Sequence, residues 1–556
     1  MATQSQPQPL PVPENFRFEW DTPEEAAQFW AADLMHWPNG LSTLSATMDM
    51  PAFVRGLLKA SETLCMPFST TRSGFKVING YVYNSFAPYS LDPAKMSQRM
   101  NQMQAQMGKH IPGLLDRWRD EYEPEVRSIN DETLNGDYGK LGDSDLAGLL
   151  ETLVEKRERE GELHFLSVFP AGGAVVFFEQ VYSNLFGDPE GNEHLQLLQG
   201  FPNKSVEAGN GLWQLAMEAR KRAPVMAVLQ RVDPTAMHEA LLTSAEGRAF
   251  RGAVEEFLRK YGWRGNELDL AAPTWAEDPT VAYRMIRDYA SRDDYDPEEE
   301  MRSLVAARRA REELLLSQLS GSGPVEMFQQ ALAGAQQYLP VQEDHNFWID
   351  QQGVAVQRVP VLEAAKRLVG ANRLAAEDDV FFLKYDELQD ALRGGKGELM
   401  ELVGRRRREQ EMFRGIKPPA ALGTPPPPEV EENPMYGKFF GAQPPESADP
   451  RIINGNAASA GKVTGTARVI MSLDVQDRLL PGEILVCPAT MPPWTPLFGI
   501  AAGVVTDHGG VLSHTAIVAR EYRIPAVVGT KTGTALIKDG QTITVDGSAG
   551  TVKLEG

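Results

Sequence analysis

The spacing of apolar residues changes character along the chain, and with it the expected secondary structure. From Asp92 onward the long central region is largely helical in pattern. Leu146, Leu149, Leu150, Leu153 and Val154 recur at intervals of three and four, which places them on one face of an amphipathic helix. Pro297 to Leu319 reads as another, opened by Asp296-Pro297-Glu298 and closed before Gly321. Nearer the start, a helix is expected to open at Asp21-Thr22-Pro23-Glu24-Glu25. Thr22 is its cap, Pro23 takes the first helical position, Glu25 completes a capping box, and Pro38 ends it. Gly74 to Tyr83 carries instead the signature of a hairpin, turning at Asn79-Gly80.

Past residue 415 the pattern shortens. Lys417 to Pro428, followed by acidic Glu429 to Glu432 and Pro434, predicts a stiff, extended connector. Beyond it Val463–Ile470, Glu483–Cys487, Ile500–Val505, Ala526–Val528, Gln541–Val545 and Thr551–Leu554 read as short strands. The expected class is α+β multidomain. It comprises a disordered tail (1–17), a large, mainly helical domain (18–415), a Pro-rich linker (416–450) and a compact β/β/α domain (451–556).

Composition narrows the function. The 556 residues are 42% hydrophobic and 24% charged, ordinary for a globular protein. Lys and Arg number 55 against 76 Asp and Glu, a net charge of −21 that opposes binding to nucleic acid or anionic membranes. Cys65 and Cys487 make no disulfide framework and show no metal-ligand spacing, so no metal site is expected. Met1 to Glu19 lacks the basic and apolar regions of a signal peptide, and the apolar runs Ala171–Phe178 and Leu497–Val505 are too short to span a bilayer. A cytoplasmic protein is the expectation.

The candidate chemistry gathers between Gly503 and Glu521. An apolar strand ends at the polar Thr506-Asp507, and Gly509-Gly510 then allow a tight turn and close backbone approach to a ligand. Ser513 is a natural N-cap, which puts His514 in the first turn of a helix with Ala516, Ile517 and Ala519 on its apolar face. Free N–H groups and the dipole at a helix N-terminus favour an added anion, by about 0.3–1 kcal/mol for the dipole alone. An imidazole that takes up a phosphoryl group becomes such an anion-bearing adduct.

The run Thr506-Asp507-x-Gly509-Gly510-x-x-Ser513-His514-Thr515-Ala516-Ile517-Val518-Ala519-Arg520-Glu521, with Ile524 to Gly529, resembles the swivelling phosphohistidine domain of the PEP-synthase and pyruvate-phosphate-dikinase superfamily. The loop Thr490 to Phe498 is similar to that family's preceding loop. The resemblance implies that His514 is the phosphocarrier, supported by Thr506, Asp507, Gly509, Gly510, Ser513, Thr515 and Arg520, on a domain that swings between two sites. Two further segments resemble rifampicin phosphotransferases and related central domains: Tyr261 to Leu270, with Trp263 where those proteins usually carry His, and the "DDVFFL" strand at Asp378 to Leu383.

The P-loop pattern Gly-x4-Gly-Lys-Ser/Thr is absent, and neither half of an ATP-grasp domain is recognisable. The layout resembles the histidine-bearing subunit of two-component phenol kinases of the phenylphosphate-synthase type. That likeness implies Mg-ATP bound by a separate ATP-grasp subunit, no tightly bound cofactor in this chain, and a small phenolic acceptor held in residues 18–415. Candidates for the acceptor site are Arg264, to steady the phosphoryl group, with Glu267, His36, Trp37, His164 and His345. Two alternatives stand beside this reading: another hydroxyl acceptor, antibiotic or pyruvate-like, or a phosphorelay protein without catalysis of its own.

Overall fold

Val77, Val82 and their neighbours form the expected hairpin. Strands Gly74–Ile78 and Tyr81–Ser85 pair antiparallel, and Asn79 and Gly80 take the positive φ values (51° and 86°) that a tight two-residue turn requires. The computed structural model describes residues 8–187, 193–292, 296–425, 434–441, 444–445, 447–473 and 479–555. Within them the chain divides into two compact units, each built from separated stretches of sequence.

The first unit takes Met1–Pro170, Glu267–Ala272 and Trp348–Glu432. Its sheet has four antiparallel strands, in the order Gly74–Ile78, Tyr81–Ser85, Phe29–Ala32, Ala421–Gly423. Its helices pack on Leu146, Leu150, Leu153, Val361, Leu368, Val380 and Leu388, so the apolar stripe at 146–154 does face a core.

Four expectations change here. The helix opening at Pro23 lasts only to Ala26. Thr22 caps it by accepting from Glu25 N (3.2 Å), but Phe29–Ala32 is a strand, because Tyr83, Asn84 and Ala421 to Gly423 offer it ladder partners on both sides. The segment Asp378 to Leu383 is no strand: Glu377–Phe382 is a 3-10 helix, its start tied by Asp379 accepting from Ala375 N and Ala376 N at 3.0 Å. Its buried Val380 and Phe381 explain the strand-like apolar run.

The tail and the connector are both partly built in. Phe16 is fully buried with Trp30, Tyr81, Tyr83 and Leu422, and Leu10 N donates to Gly423 O at 2.7 Å. The start of the connector closes the same core, since Ala421–Gly423 is a sheet strand and Leu422 is fully buried. Residues 1–7 of the expected tail and 426–433 of the connector lie outside the described residues.

The second unit takes Ala171–Asn266, Pro273–Phe347 and Asn433–Gly556. It joins helices such as Lys204–Arg220, Ala245–Tyr261, Pro297–Gln318 and Tyr338–His345 with an eight-stranded mixed sheet. The sheet runs Ile452–Asn454, Thr551–Leu554, Thr542–Asp546, Lys462–Val469, Ile484–Cys487, Gly503–Thr506, Ala526–Val528, Asn456–Ser459. The fourth to seventh strands in this order are parallel, and Val486, Val505, Val527 and Val545 are buried in the core of the sheet. The strands expected beyond residue 450 are all present, within one to three residues of their expected ends. The mainly helical part followed by a mixed-sheet domain is thus the α+β multidomain class expected.

Residues Asp143–Phe186 form a single helix. At 44 residues it is long and apolar enough to cross a membrane by length and composition, and 61% of its most apolar window is buried, as in a core helix.

Candidate functional site

The strand Gly503–Thr506 lies in the parallel part of the sheet, and the loop leaving its carboxyl end is where such sheets place ligands. Three threonines and an aspartate fix that exit. Thr506 Oγ1 donates to His508 O at 2.8 Å, Thr530 Oγ1 donates to Thr506 O at 2.9 Å, and Asp507 accepts from Thr534 N at 3.0 Å and from the Thr534 hydroxyl. The chain then turns on glycine. Gly509 has φ +110°, and a Cβ there would meet Ser513 Oγ at 2.9 Å; a Cβ on Gly510 would lie 2.2 Å from Lys438 O.

The helix His514–Glu521 follows, with Ser513 as N-cap accepting from Ala516 N at 3.4 Å. Thr515 meets Thr490 hydroxyl to hydroxyl at 2.7 Å. Arg520 donates to Ala458 O at 2.8 Å and Val511 O at 2.9 Å, bracing the turn from behind; burial pulls its guanidinium down to about 10. The loop residues named from sequence thus fix the turn and the start of the helix that follows it.

His514 opens that helix, its side chain 10% exposed. Its Nε2 lies 3.3 Å from Thr495 Oγ1, and its Nδ1 lies 3.3 Å from the Glu343 carboxylate. Glu343 comes from the helix Tyr338–His345 and is held by Ser205 Oγ, which donates to Oε2 at 2.5 Å. Burial pushes the Glu343 carboxyl up, but the His514 ring, the Ser205 hydroxyl and nearby His345 outweigh it and hold Glu343 below the ordinary carboxylate range. Sequence reasoning missed Glu343. It lies within the polar run Gln342 to Asn346, which reads as a solvated stretch, whereas Glu343, Asp344 and His345 are buried.

The acceptor-site candidates fall in both units. Within the second, Arg264 is 2% exposed, stacked near Phe347 (4.8 Å) and Trp275 (5.3 Å), with Nε donating to Tyr261 O at 2.8 Å. Its Nη2 is buried with no hydrogen-bond partner among the described residues, and burial pulls the guanidinium down to about 9. His345 is buried in the same unit, its Nδ1 at 2.8 Å from Val341 O.

Within the first unit, Trp37 Nε1 donates to Leu268 O at 3.0 Å and Asn39 donates to Glu267 at 2.7 Å, so Trp37 and the Glu267 loop are joined. His36, its side chain 39% exposed, pairs with Asp33 at 2.9 Å, and His164 pairs with Asp350 at 2.9 Å. Burial pulls His36 down, but Asp33 and then Asp350 outweigh it and raise the ring above its ordinary value. His36 and His164 therefore share the influence of Asp350.

Comparison with known proteins adds two domain matches. Residues 479–550 match the mobile domain of PEP-utilising enzymes, and residues 164–343 match the fourth domain of rifampicin phosphotransferase. Chondramide synthase cmdD of Chondromyces crocatus is 33% identical over 98% of this chain and 14% of its own. The uncharacterized phosphotransferase YvkC of Bacillus subtilis is 33% identical over 70% of this chain and 47% of its own. A rifampicin phosphotransferase of Streptomyces sp is 31% identical over 75% of this chain and 47% of its own. The chain spans less than half the length of these curated relatives.

Proposed function

We propose that this chain, a member of the PEP-utilising enzyme superfamily by its mobile domain, is a phosphotransferase that passes a phosphoryl group through His514 to a hydroxyl acceptor. The observation that carries the reading is the placement of His514: first turn of a helix, directly after a glycine turn, on the matched domain. A phosphoryl group on that ring sits where helix N–H groups and the dipole favour negative charge. The two relatives named as phosphotransferases support the reaction class.

The finer reading retains a dikinase division of labour. Mg-ATP is bound outside these residues, on a separate ATP-grasp subunit, and His514 receives the phosphoryl group there before delivering it. The acceptor is a small phenol, with Arg264, Glu267, His36, Trp37, His164 and His345 as the residues to test for holding or activating it. An antibiotic hydroxyl is the second reading, favoured by the relative named for rifampicin. A cytoplasmic site of action accords with the reading, since ATP is the donor.

The test loads the whole chain with phosphoramidate, a small phosphoryl donor, or with Mg-ATP and an ATP-grasp partner, then offers a panel of phenols and antibiotic alcohols. A phosphorylated chain and a phosphate ester of one acceptor are expected, both lost in His514→Ala. Ester formed at the wild-type rate by His514→Ala refutes the reading.

A further inference from the structure

His514 is flanked on its two ring nitrogens by groups of different hydrogen-bonding capacity, and that difference selects a tautomer. Glu343 lies 3.3 Å from Nδ1, is almost wholly buried, and keeps its second oxygen on Ser205 Oγ. An ionised carboxylate can only accept, so the ring nitrogen facing it must carry a hydrogen. Thr495 Oγ1, 3.3 Å from Nε2, can donate as well as accept. A neutral ring with its hydrogen on Nδ1 satisfies both neighbours. The opposite tautomer sets a nitrogen lone pair against a carboxylate.

We propose that Glu343 is a positioning residue for His514: it holds the ring hydrogen on Nδ1 and leaves the Nε2 lone pair to take and carry the phosphoryl group. The proposal rests on the reading of His514 as a phosphocarrier and names the reacting nitrogen and the residue that selects it.

The Nε2 lone pair attacks phosphorus, the N–P bond forms, and the donor leaves with the electron pair of its own bond to phosphorus. Nδ1 keeps its hydrogen, so the ring becomes cationic, and the Glu343 carboxylate offsets that charge. In transfer the acceptor oxygen attacks phosphorus, the P–Nε2 pair returns to the ring, and the acceptor's proton passes to solvent. The ring leaves as a neutral imidazole, still hydrogen-bonded through Nδ1. A cationic imidazole is the better leaving group, so the carboxylate assists departure as well as attack. Glu343 belongs to the helical part of the unit, on a helix 171 positions away in sequence. The ring is thus set for transfer where the helical part and the histidine loop meet.

The experiment uses the full chain with 15N-labelled histidine at pH 8. In the wild type, ring nitrogen shifts of His514 should report hydrogen on Nδ1, and after phosphoramidate loading the phosphorus should couple to Nε2. Glu343→Gln, whose amide can donate or accept, should shift the population toward hydrogen on Nε2. It should also slow acceptor phosphorylation by about tenfold or more, since losing a partner that orients a histidine costs from about tenfold to about ten-thousandfold. Ser205→Ala, which frees the second carboxylate oxygen, should move the tautomer in the same direction by less. Hydrogen on Nε2 in the wild type, phosphorus on Nδ1, or an unchanged tautomer in Glu343→Gln each overturns the proposal. If the chain takes no phosphoryl group, the carrier reading falls, while the tautomer comparison still decides whether Glu343 positions the ring.

Discussion

Glu521 sets a pH dependence that can be worked out in advance. It sits in the last turn of the His514 helix, 7% exposed, and accepts from Gly200 N at 2.9 and 3.3 Å. Burial is the largest influence and pushes its carboxyl from the ordinary 4.5 up to about 7, against the pull of the Gly200 amide and Arg520. Below about 4.5 the folded and unfolded chains both hold the proton. Between 4.5 and 7 the unfolded chain has released it and the folded chain has not, so stability falls as pH rises. Above 7 the loss is complete. Each pH unit carries about 1.36 kcal/mol, so a window of about 2.5 in pH amounts to about 3 kcal/mol. Glu521→Gln keeps an acceptor for Gly200 N and cannot ionise. It should match the wild type near pH 4.5 and exceed it by up to about 3 kcal/mol at pH 8, read from urea midpoints and slopes across that range. Glu160, also buried and pushed up to about 7, contributes a slope of the same sign, and only the difference between variant and wild type isolates Glu521. Parallel curves for the two proteins from pH 4.5 to 8 would refute the reasoning.

Three other expectations use the same kind of measurement. Phe16→Ala should cost about 3–5 kcal/mol in urea denaturation, because a fully buried ring is removed from the Trp30, Tyr81 and Leu422 core; a loss under ~0.5 kcal/mol would return residues 8–17 to the status of a loose tail. Gly510→Ala puts a methyl 2.2 Å from Lys438 O and should destabilise by about 1–3 kcal/mol, with faster protease cleavage near residue 440 as the second readout. Arg264→Met removes a buried guanidinium whose Nη2 has no hydrogen-bond partner among the described residues. Stability should be unchanged or raised by up to about 4 kcal/mol, and a slower transfer without loss of His514 phosphorylation would assign Arg264 to the acceptor site.

What the sequence disclosed follows from the range of the forces involved. The Ser513 cap, the Thr22 cap, the Asn79-Gly80 turn and the strands beyond residue 450 depend on residues within a few positions, and all are recovered. Phe29–Ala32 was hidden because its strand identity is conferred by Tyr83, Asn84 and Ala421 to Gly423, far off in the chain. Val380 and Phe381 misled for the complementary reason: a short apolar run is buried equally well in a strand or a 3-10 turn, and Asp379 decides by binding the two preceding amides. Glu343 was invisible since nothing local marks a carboxylate that will meet a ring 171 residues away.

The segment Pro434–Phe440 is fastened to the histidine turn by main-chain atoms: Gly510 N donates to Phe439 O at 2.8 Å and Leu512 N to Lys438 O at 2.9 Å. These clasps involve no side chain, so mutation cannot tune them away except by crowding Gly510. If His514 moves as the proposed carrier with these two bonds intact, this short helix is its passenger, and Lys438 must part from Glu179, with which it pairs at 2.5 Å. A crosslink that pins the passenger should therefore immobilise the cargo as surely as one placed on the sheet itself.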